Sequence, residues 1–447
     1  MKKYFYILLF SFQVVCGQFI QVNPDGTIKN DGAGHIVKSV PVFQFKSYQA
    51  GTLSQLSITV KGTNTYKIWA NYGNTVQQLT FTGANQTLSS NFKNINSLYS
   101  IEIWGDLDQL QTFQVSNATI VLCLSDINVF KNLQNLSLTS VVLDRYNSID
   151  DLPKTLLTLN LTNCTGNNIY GNAKNLSRLL TSLILVNTNN QTIKGKISDL
   201  PATLTTLTIR HPGSPSPPNW TGSFSQLPPN LTSLFIWEMG SAAITGNLND
   251  IPKTVTSLTI FNDFFACTGN VKNLPPNLVS LLLISCSSNG SIPFPALPVK
   301  CNLNDIPKTV TSISLSFFKS YGAKVTGSVD SLPPNLTSIT LSDVDTFMYG
   351  HCEKMPGTCT TINLNTSLGS IGHNIIYGGG AVPAWAATTI TLQTKMTSAN
   401  VDAFLISWAG TAGVGTKTVT LSGQRTSASD AAVATLNGKG KTIITAP

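Results

Sequence analysis

From Leu152 to Leu364 the chain repeats one arrangement of apolar and polar positions, L-P-x-x-L-x-x-L-x-L. It is filled by LPKTLLTLNL from Leu152, LSRLLTSLIL from Leu176, LPATLTTLTI from Leu200, LPPNLTSLFI from Leu227 and IPKTVTSLTI from Ile251. LPPNLVSLLL from Leu274, IPKTVTSISL from Ile306, LPPNLTSITL from Leu332 and MPGTCTTINL from Met355 continue it. The nine copies start 23 to 32 residues apart, and self-similarity at a period of about 20–29 residues marks a solenoid of stacked coils. The last two apolar positions are two residues apart, so they face one side of a short strand while the residues between them face the other. The proline cannot donate to a ladder and belongs where the chain turns into that strand. A second apolar position lies three residues ahead of the phrase, at Ile197, Phe224, Leu248, Val271 and Val329. It predicts another inward point on the far side of each coil, which only stacking can bury. Weaker copies stand upstream, VFKNLQNLSL from Val129 and the tails VQQLTF at Val76 and LYSIEI at Leu98.

The L-x-x-L-x-L core of each copy resembles the leucine-rich repeat family, although its ninth position is seldom Asn and is Cys164 or Cys286 in two copies. The phrases ITGNL, CTGNV and VTGSV look like bacterial and plant-type variants with an extended back side, and IPKTVTSLTI is similar to the FNIP repeats of social amoebae. The resemblance implies a leucine-rich-repeat solenoid over residues 125–395, mostly β, with a parallel sheet lining a concave face. A right-handed parallel β-helix of similar coil length is the structural rival; one strand per coil followed by a proline-marked return favours the leucine-rich repeat.

Both ends differ in texture. MKKYFYILLFSFQVVCGQ pairs a basic start with an apolar run and small residues, the pattern of a secretory signal over residues 1–17; the alternatives are a lipoprotein anchored at Cys16, or a virion protein for which such a leader is awkward. Residues 18–124 read as an N-terminal β-rich cap or degenerate repeats. Over 396–447, TSANVDAFLISWAG places Val401, Phe404, Leu405 and Trp408 at helical spacing behind Ser398 as N-cap. KTVTLSG then predicts a strand, SASDAAVATLNGKG a second helix ending at Gly438 or Gly440, and TIITA a last strand. This tail resembles a C-terminal module of repeat-bearing surface and tail-associated proteins of Bacteroidetes and their phages, and capping the last coil is its expected job.

Composition narrows the function. Only 11% of residues are charged, against a usual ~25%, and the net charge of +8 is spread singly, without the clustered basic face that nucleic acid requires. After the leader, no run of 18 apolar residues would span a membrane. The histidines at 35, 211, 351 and 373 stand in no metalloprotease helix, and no nucleophile elbow, P-loop or dinucleotide fingerprint occurs. His351, Cys352 and Cys359 are spaced like metal ligands, but the repeat puts Cys352 and Cys359 on inward positions. A Cys286–Cys301 disulfide is a candidate for closing the loop around SIPFPALP. Neither an enzyme nor a cofactor is expected.

The outward strand positions form columns. The first, Thr158, Ser182, Thr206, Ser233, Ser257, Ser280, Ser312, Ser338 and Thr361, is all hydroxyl, as β-propensity and solubility alone would give. The next varies: Asn160, Ile184, Thr208, Phe235, Thr259, Leu282, Ser314, Thr340 and Asn363. At or just beyond the strand ends stand Arg210, His211, Trp237, Glu238, Phe261, Asp263, Phe317 and Asp343, which with Phe235 are the candidate ligand contacts. The expectation is a secreted or surface-displayed binding or adhesion protein that recognises a protein or glycan by its concave face. Its alternatives are a polysaccharide-acting enzyme on a β-helix, a phage receptor-binding or tail component, and an ice-binding protein.

Overall fold

The computed structural model describes residues 42–47, 54–61, 65–70, 75–80, 86–92, 99–104, 107–116, 120–143, 147–166, 169–186, 192–211, 220–238, 244–262, 267–285, 299–316, 324–342, 345–365, 374–392 and 396–446. They fall into two compact units, Met1–Thr206 and Leu207–Pro447.

Unit 1 begins with antiparallel pairing. The strand β1 (Ser54–Lys61) lies between β2 (Gln86–Phe92) and β3 (Thr112–Ser116), antiparallel to both. In a second sheet Tyr99–Trp104 runs antiparallel to Val42–Ser47 and to Thr65–Ala70, and the latter pairs antiparallel with Thr75–Thr80. VQQLTF and LYSIEI therefore fall mainly on antiparallel strands and do not take the place of parallel coils, because an alternating pattern fixes which side a residue faces but not the direction of its strand. From β3 onward the order is parallel through β4 (Asn135–Thr139), β5 (Thr158–Thr162) and β6 (Ser182–Val186). Leu136, Leu159 and Leu183 align, as do Leu138, Leu161 and Leu185, and all six are at most 1% exposed.

Unit 2 continues in the same manner from β7 (Thr206–His211), whose first residue closes unit 1. It runs through β8 (Ser233–Glu238), β9 (Ser257–Asn262), β10 (Ser280–Ser285), β11 (Ser312–Ser316), β12 (Ser338–Ser342), β13 (Thr361–Asn365) and β14 (Thr389–Leu392), parallel from β8 onward. The two apolar residues of each phrase build two buried columns. Leu234, Leu258, Leu281, Ile313, Ile339, Ile362 and Ile390 are at most 1% exposed, and Ile236, Ile260, Leu283, Leu315, Leu341, Leu364 and Leu392 at most 4%. Burying such a side chain is worth about 1.5–3 kcal/mol, so these columns are the main apolar contribution of the stack. The far-side positions Ile197, Phe224, Leu248, Val271 and Val329 are fully buried.

Each coil carries more than the single strand expected. A second, short parallel strand precedes the far-side turn. In unit 2 these are Trp220–Ser223, Ile244–Asn247 and Cys267–Thr268 in one series, and Lys300–Asn302, Lys324–Ser328, Asp345–His351 and Asn374–Ile376 in another. Unit 1 has Asn147–Ser148, Ile169–Asn172 and Thr192–Lys196. Stacked coils bring these extended backbones side by side, and their N–H and C=O groups pair because nothing else satisfies them. A 3₁₀ turn follows, then the proline. The result is a solenoid-like fold of two strands and a turn per coil.

The verbatim repeat NLNDIPKTVTS, at residues 247–257 and 302–312, shows what holds one coil to the next. Asn247 accepts from Asn249 N at 2.9 Å and caps the turn Leu248–Asp250. Leu248, Ile251 and Val255 are at most 1% exposed. Lys253 Nζ donates to Asn273 O in the following coil, whereas Thr254 Oγ1 donates to Pro229 O and Leu231 O in the preceding one, at 3.0 and 2.6 Å. The second copy repeats each bond. Asn302 caps Asn304 N, Lys308 Nζ donates forward to Ser331 O, and Thr309 Oγ1 donates back to Pro276 O and Leu278 O. The L-P-P-N coils at Leu227, Leu274 and Leu332 supply the receiving carbonyls. A second ladder joins Thr256 to Thr232 O, Thr311 to Val279 O and Thr337 to Thr311 O.

Two α-helices end the chain. Helix α1 (Ser398–Thr411) buries Val401, Phe404, Leu405 and Trp408 completely. Its N-cap is Thr397 rather than Ser398: the Thr397 side chain accepts from Asn400 N at 3.3 Å. After β15 (Lys417–Ser422), helix α2 (Asp430–Gly438) ends at Gly438 and leads into β16 (Lys441–Ala446). Both strands extend the parallel order, β14 to β15 to β16. Asp402 of α1, 6% exposed, accepts from Thr426 N and from the hydroxyls of Thr426 and Ser429. The bonds tie the helix to the segment before α2. Among the described residues no helix is long and apolar enough to cross a membrane.

Candidate functional site

The exposed face of the unit 2 sheet carries the first, third and fifth residues of each phrase-bearing strand. The first column is hydroxyl throughout from β8 to β13, and the third and fifth are Ser, Thr or Asn from β11 to β13. The face changes character on β7 to β10. There the third column carries Phe235, Thr259 and Leu282, aligned by the pairing of β8, β9 and β10, and the fifth carries Trp237, Phe261 and Ile284. Arg210 holds the fifth position of β7.

Three of these side chains stack on one another. The Arg210 guanidinium carbon lies 3.8 Å from the centre of the Trp237 ring, and the Trp237 and Phe261 ring centres are 4.1 Å apart at 38°. Arg210 reaches the indole from the preceding strand and Phe261 from the following one, so both faces of the indole are covered. Parallel strands lie about 4.8 Å apart, which imposes this stacking on large side chains sharing a column. All three residues are half-buried. A cation over an indole contributes about 0.5–2 kcal/mol. Among the described residues Arg210 makes no ion pair or hydrogen bond, and its Nε and Trp237 Nε1 are buried without partners.

Of the contacts expected from sequence, Arg210, Phe235, Trp237 and Phe261 thus gather on three neighbouring strands, β7, β8 and β9. His211 and Glu238 end β7 and β8, with side chains outside the described residues; Asp263, Phe317 and Asp343 lie outside the described residues altogether. Sequence reasoning missed Ile284 and passed over Leu282. The signal for Ile284 was its place directly after the phrase, the position that Arg210, Trp237 and Phe261 hold in their own coils.

Among the described residues the buried cysteines are packing groups. Cys352 and Cys359 are fully buried, on the inward positions the repeat assigns them. Burial pushes the Cys359 thiol up to about 11; burial, then the charge of Glu353, raises Cys352 further. Cys301 is a free, buried thiol pushed up to about 12 by burial and then by Asp305, while its candidate partner Cys286 lies outside the described residues. His351 Nδ1 sits 2.8 Å from Asp330 Oδ2, and Glu353 accepts from Gly378 N at 3.0 Å and Gly380 N at 3.4 Å. These contacts also bind coil to coil.

No protein-family model matches the chain, and no curated protein does. Among solved structures it is similar to a plant peptide hormone receptor, RGFR1, in complex with RGF2, at 13% identity and a TM-score of 0.35, over 72% of this chain and 56% of that one. The chain thus spans little more than half the length of that receptor.

Proposed function

We propose that the chain is a leucine-rich-repeat binding protein, exported and displayed or secreted, that recognises a protein or glycan through the exposed face of the unit 2 sheet. One observation carries this reading: Arg210, Trp237 and Phe261 stack side by side, with Phe235, Leu282 and Ile284 on the same and adjoining strands, on a face whose corresponding positions farther along are Ser, Thr and Asn. A cluster of Trp, Phe and Arg is the composition of a binding hot spot. The coil phrases support the family assignment, and the basic-apolar leader supports export. The two terminal helices, burying their own apolar faces, cap the last coil in this reading.

The test is adhesion or pull-down with the full chain and a Trp237→Ala/Phe235→Ala variant. Loss of binding with an unchanged melting transition supports the patch as the contact. Equal binding by both proteins removes the face from consideration.

A further inference from the structure

Among the described residues Arg210 has a ring partner but no acceptor. A guanidinium carries its donors in its plane, and stacking on an indole occupies only its flat side. The hydrogen-bonding edge still needs acceptors. Its Nε is buried without a partner, and among the described residues no carboxylate pairs with the group. Buried donors left unpaired are uncommon and costly. The planar fork matches a carboxylate, which it can bind through two parallel hydrogen bonds.

The neighbouring surface restricts what bears that carboxylate. Sugars are held on open aromatic faces, but both faces of Trp237 are taken, by Arg210 and by Phe261. Beyond Phe261 stand Leu282 and Ile284, aliphatic groups that offer a sugar ring no hydrogen bonds and offer an apolar side chain a dry contact.

We infer that the ligand of this face is a peptide segment in which an acidic side chain lies beside large apolar ones, the carboxylate on Arg210 and the apolar groups along Trp237, Phe261, Leu282 and Ile284. This rests on the binding-face reading above and goes further by fixing the ligand's chemistry. Arg210 is the residue that sets specificity, and Trp237 orients it. Lysine cannot substitute for it, since a point charge lacks the flat surface and the fork.

A random decapeptide display library panned on the full chain, with the Trp237→Ala/Phe261→Ala variant as counter-selection, is the probe. The expected selection is of peptides with Asp or Glu within two or three residues of Leu, Ile or Phe. Synthetic versions with the acid replaced by its amide should bind about tenfold more weakly or worse. Arg210→Lys and Arg210→Gln should reduce binding of the acidic peptide similarly and leave its amide twin almost unaffected. Matching circular dichroism and melting of the variants would keep folding out of the comparison.

Equal affinity for acid and amide peptides, or indifference to Arg210→Gln, overturns the inference. So does the absence of any peptide enriched over the counter-selection, or binding confined to uronic or sialic sugars on a glycan array. If binding needs Trp237 and Phe261 but not a carboxylate, the face stands and the acidic ligand falls. If binding survives the double variant, both fall.

Discussion

Gly269 and Gly327 sit where a coil turns behind its neighbour, at φ of +110° and +100°. A Cβ added to either would lie 2.3 or 2.2 Å from the carboxamide oxygen of Asn247 or Asn302, the residue that caps the turn of the preceding coil. Gly269→Ala and Gly327→Ala should each cost about 1–3 kcal/mol through backbone strain and displaced caps, read as a shift in urea midpoint. Gly410→Ala is the contrast: it lies in α1 with open space around it, and removing a helical glycine should gain about 0.5–1 kcal/mol. Asp402 brings in pH. Burial pushes its pKa up, but hydrogen bonds from Ser429 and Thr426 and the charge of Arg425 outweigh this, and the net shift is downward. A carboxyl with a folded pKa below its unfolded one stabilises the fold above the ordinary carboxylate range and loses that contribution as pH falls through the folded value. Asp402→Asn should therefore melt below the wild type at neutral pH, with the gap closing only as pH falls below the ordinary carboxylate range; a gap independent of pH would refute the assignment. The thiols of Cys164 and Cys301, both raised to about 12 chiefly by burial, should resist alkylation at neutral pH until the chain unfolds, which mass spectrometry of iodoacetamide-treated protein would show.

At the scale of the coil, stability is divided between buried columns and bonds that cross from coil to coil. The hydroxyls of Thr254 and Thr309 each bridge two carbonyls of the preceding coil. Thr254→Val and Thr309→Val keep the bulk and remove the donor, so each should lower stability by about 0.5–1.5 kcal/mol. The sites share no partner, and the double variant should be additive within about 0.5 kcal/mol, as judged by denaturant titration. The phrase L-P-x-x-L-x-x-L-x-L was legible because burial repeats at fixed positions: Leu248, Val255, Leu303 and Val310 are fully buried where it places them. The second strand was not, since it is often two to five residues long and has too few positions to show an alternation of its own. Nor were the roles of Thr254 and Lys253, whose partners lie a coil away. The aromatic patch was half legible. Arg210, Trp237 and Phe261 stood out by type, but that they stack follows only from strand pairing, and Ile284 escaped because one more aliphatic residue in a run of leucines does not stand out.

At the scale of the chain, the two copies of NLNDIPKTVTS offer a direct experiment. Deleting residues 247–301 joins Gly246 to Asn302 and leaves the phrase once. Thr309 would then meet the carbonyls of Pro229 and Leu231 that Thr254 meets now. The shortened chain should fold with a single cooperative transition by circular dichroism, yet it loses Phe261, Leu282 and Ile284 and with them ligand binding. Failure to fold would show that the pair is not an independent unit of stacking. Behind this expectation lies the direction of the bonds between coils. From Leu227 onward, P-P-N coils alternate with coils bearing P-K-T or P-G-T, and Thr254, Thr309 and Thr358 each donate back into a P-P-N coil. Over this stretch the sequence is written in two alternating letters, one supplying the threonine and the other the carbonyls that receive it. Copying or removing a pair of coils keeps each threonine against the kind of neighbour it has now, and a face built from such pairs acquires or loses its side chains two strands at a time.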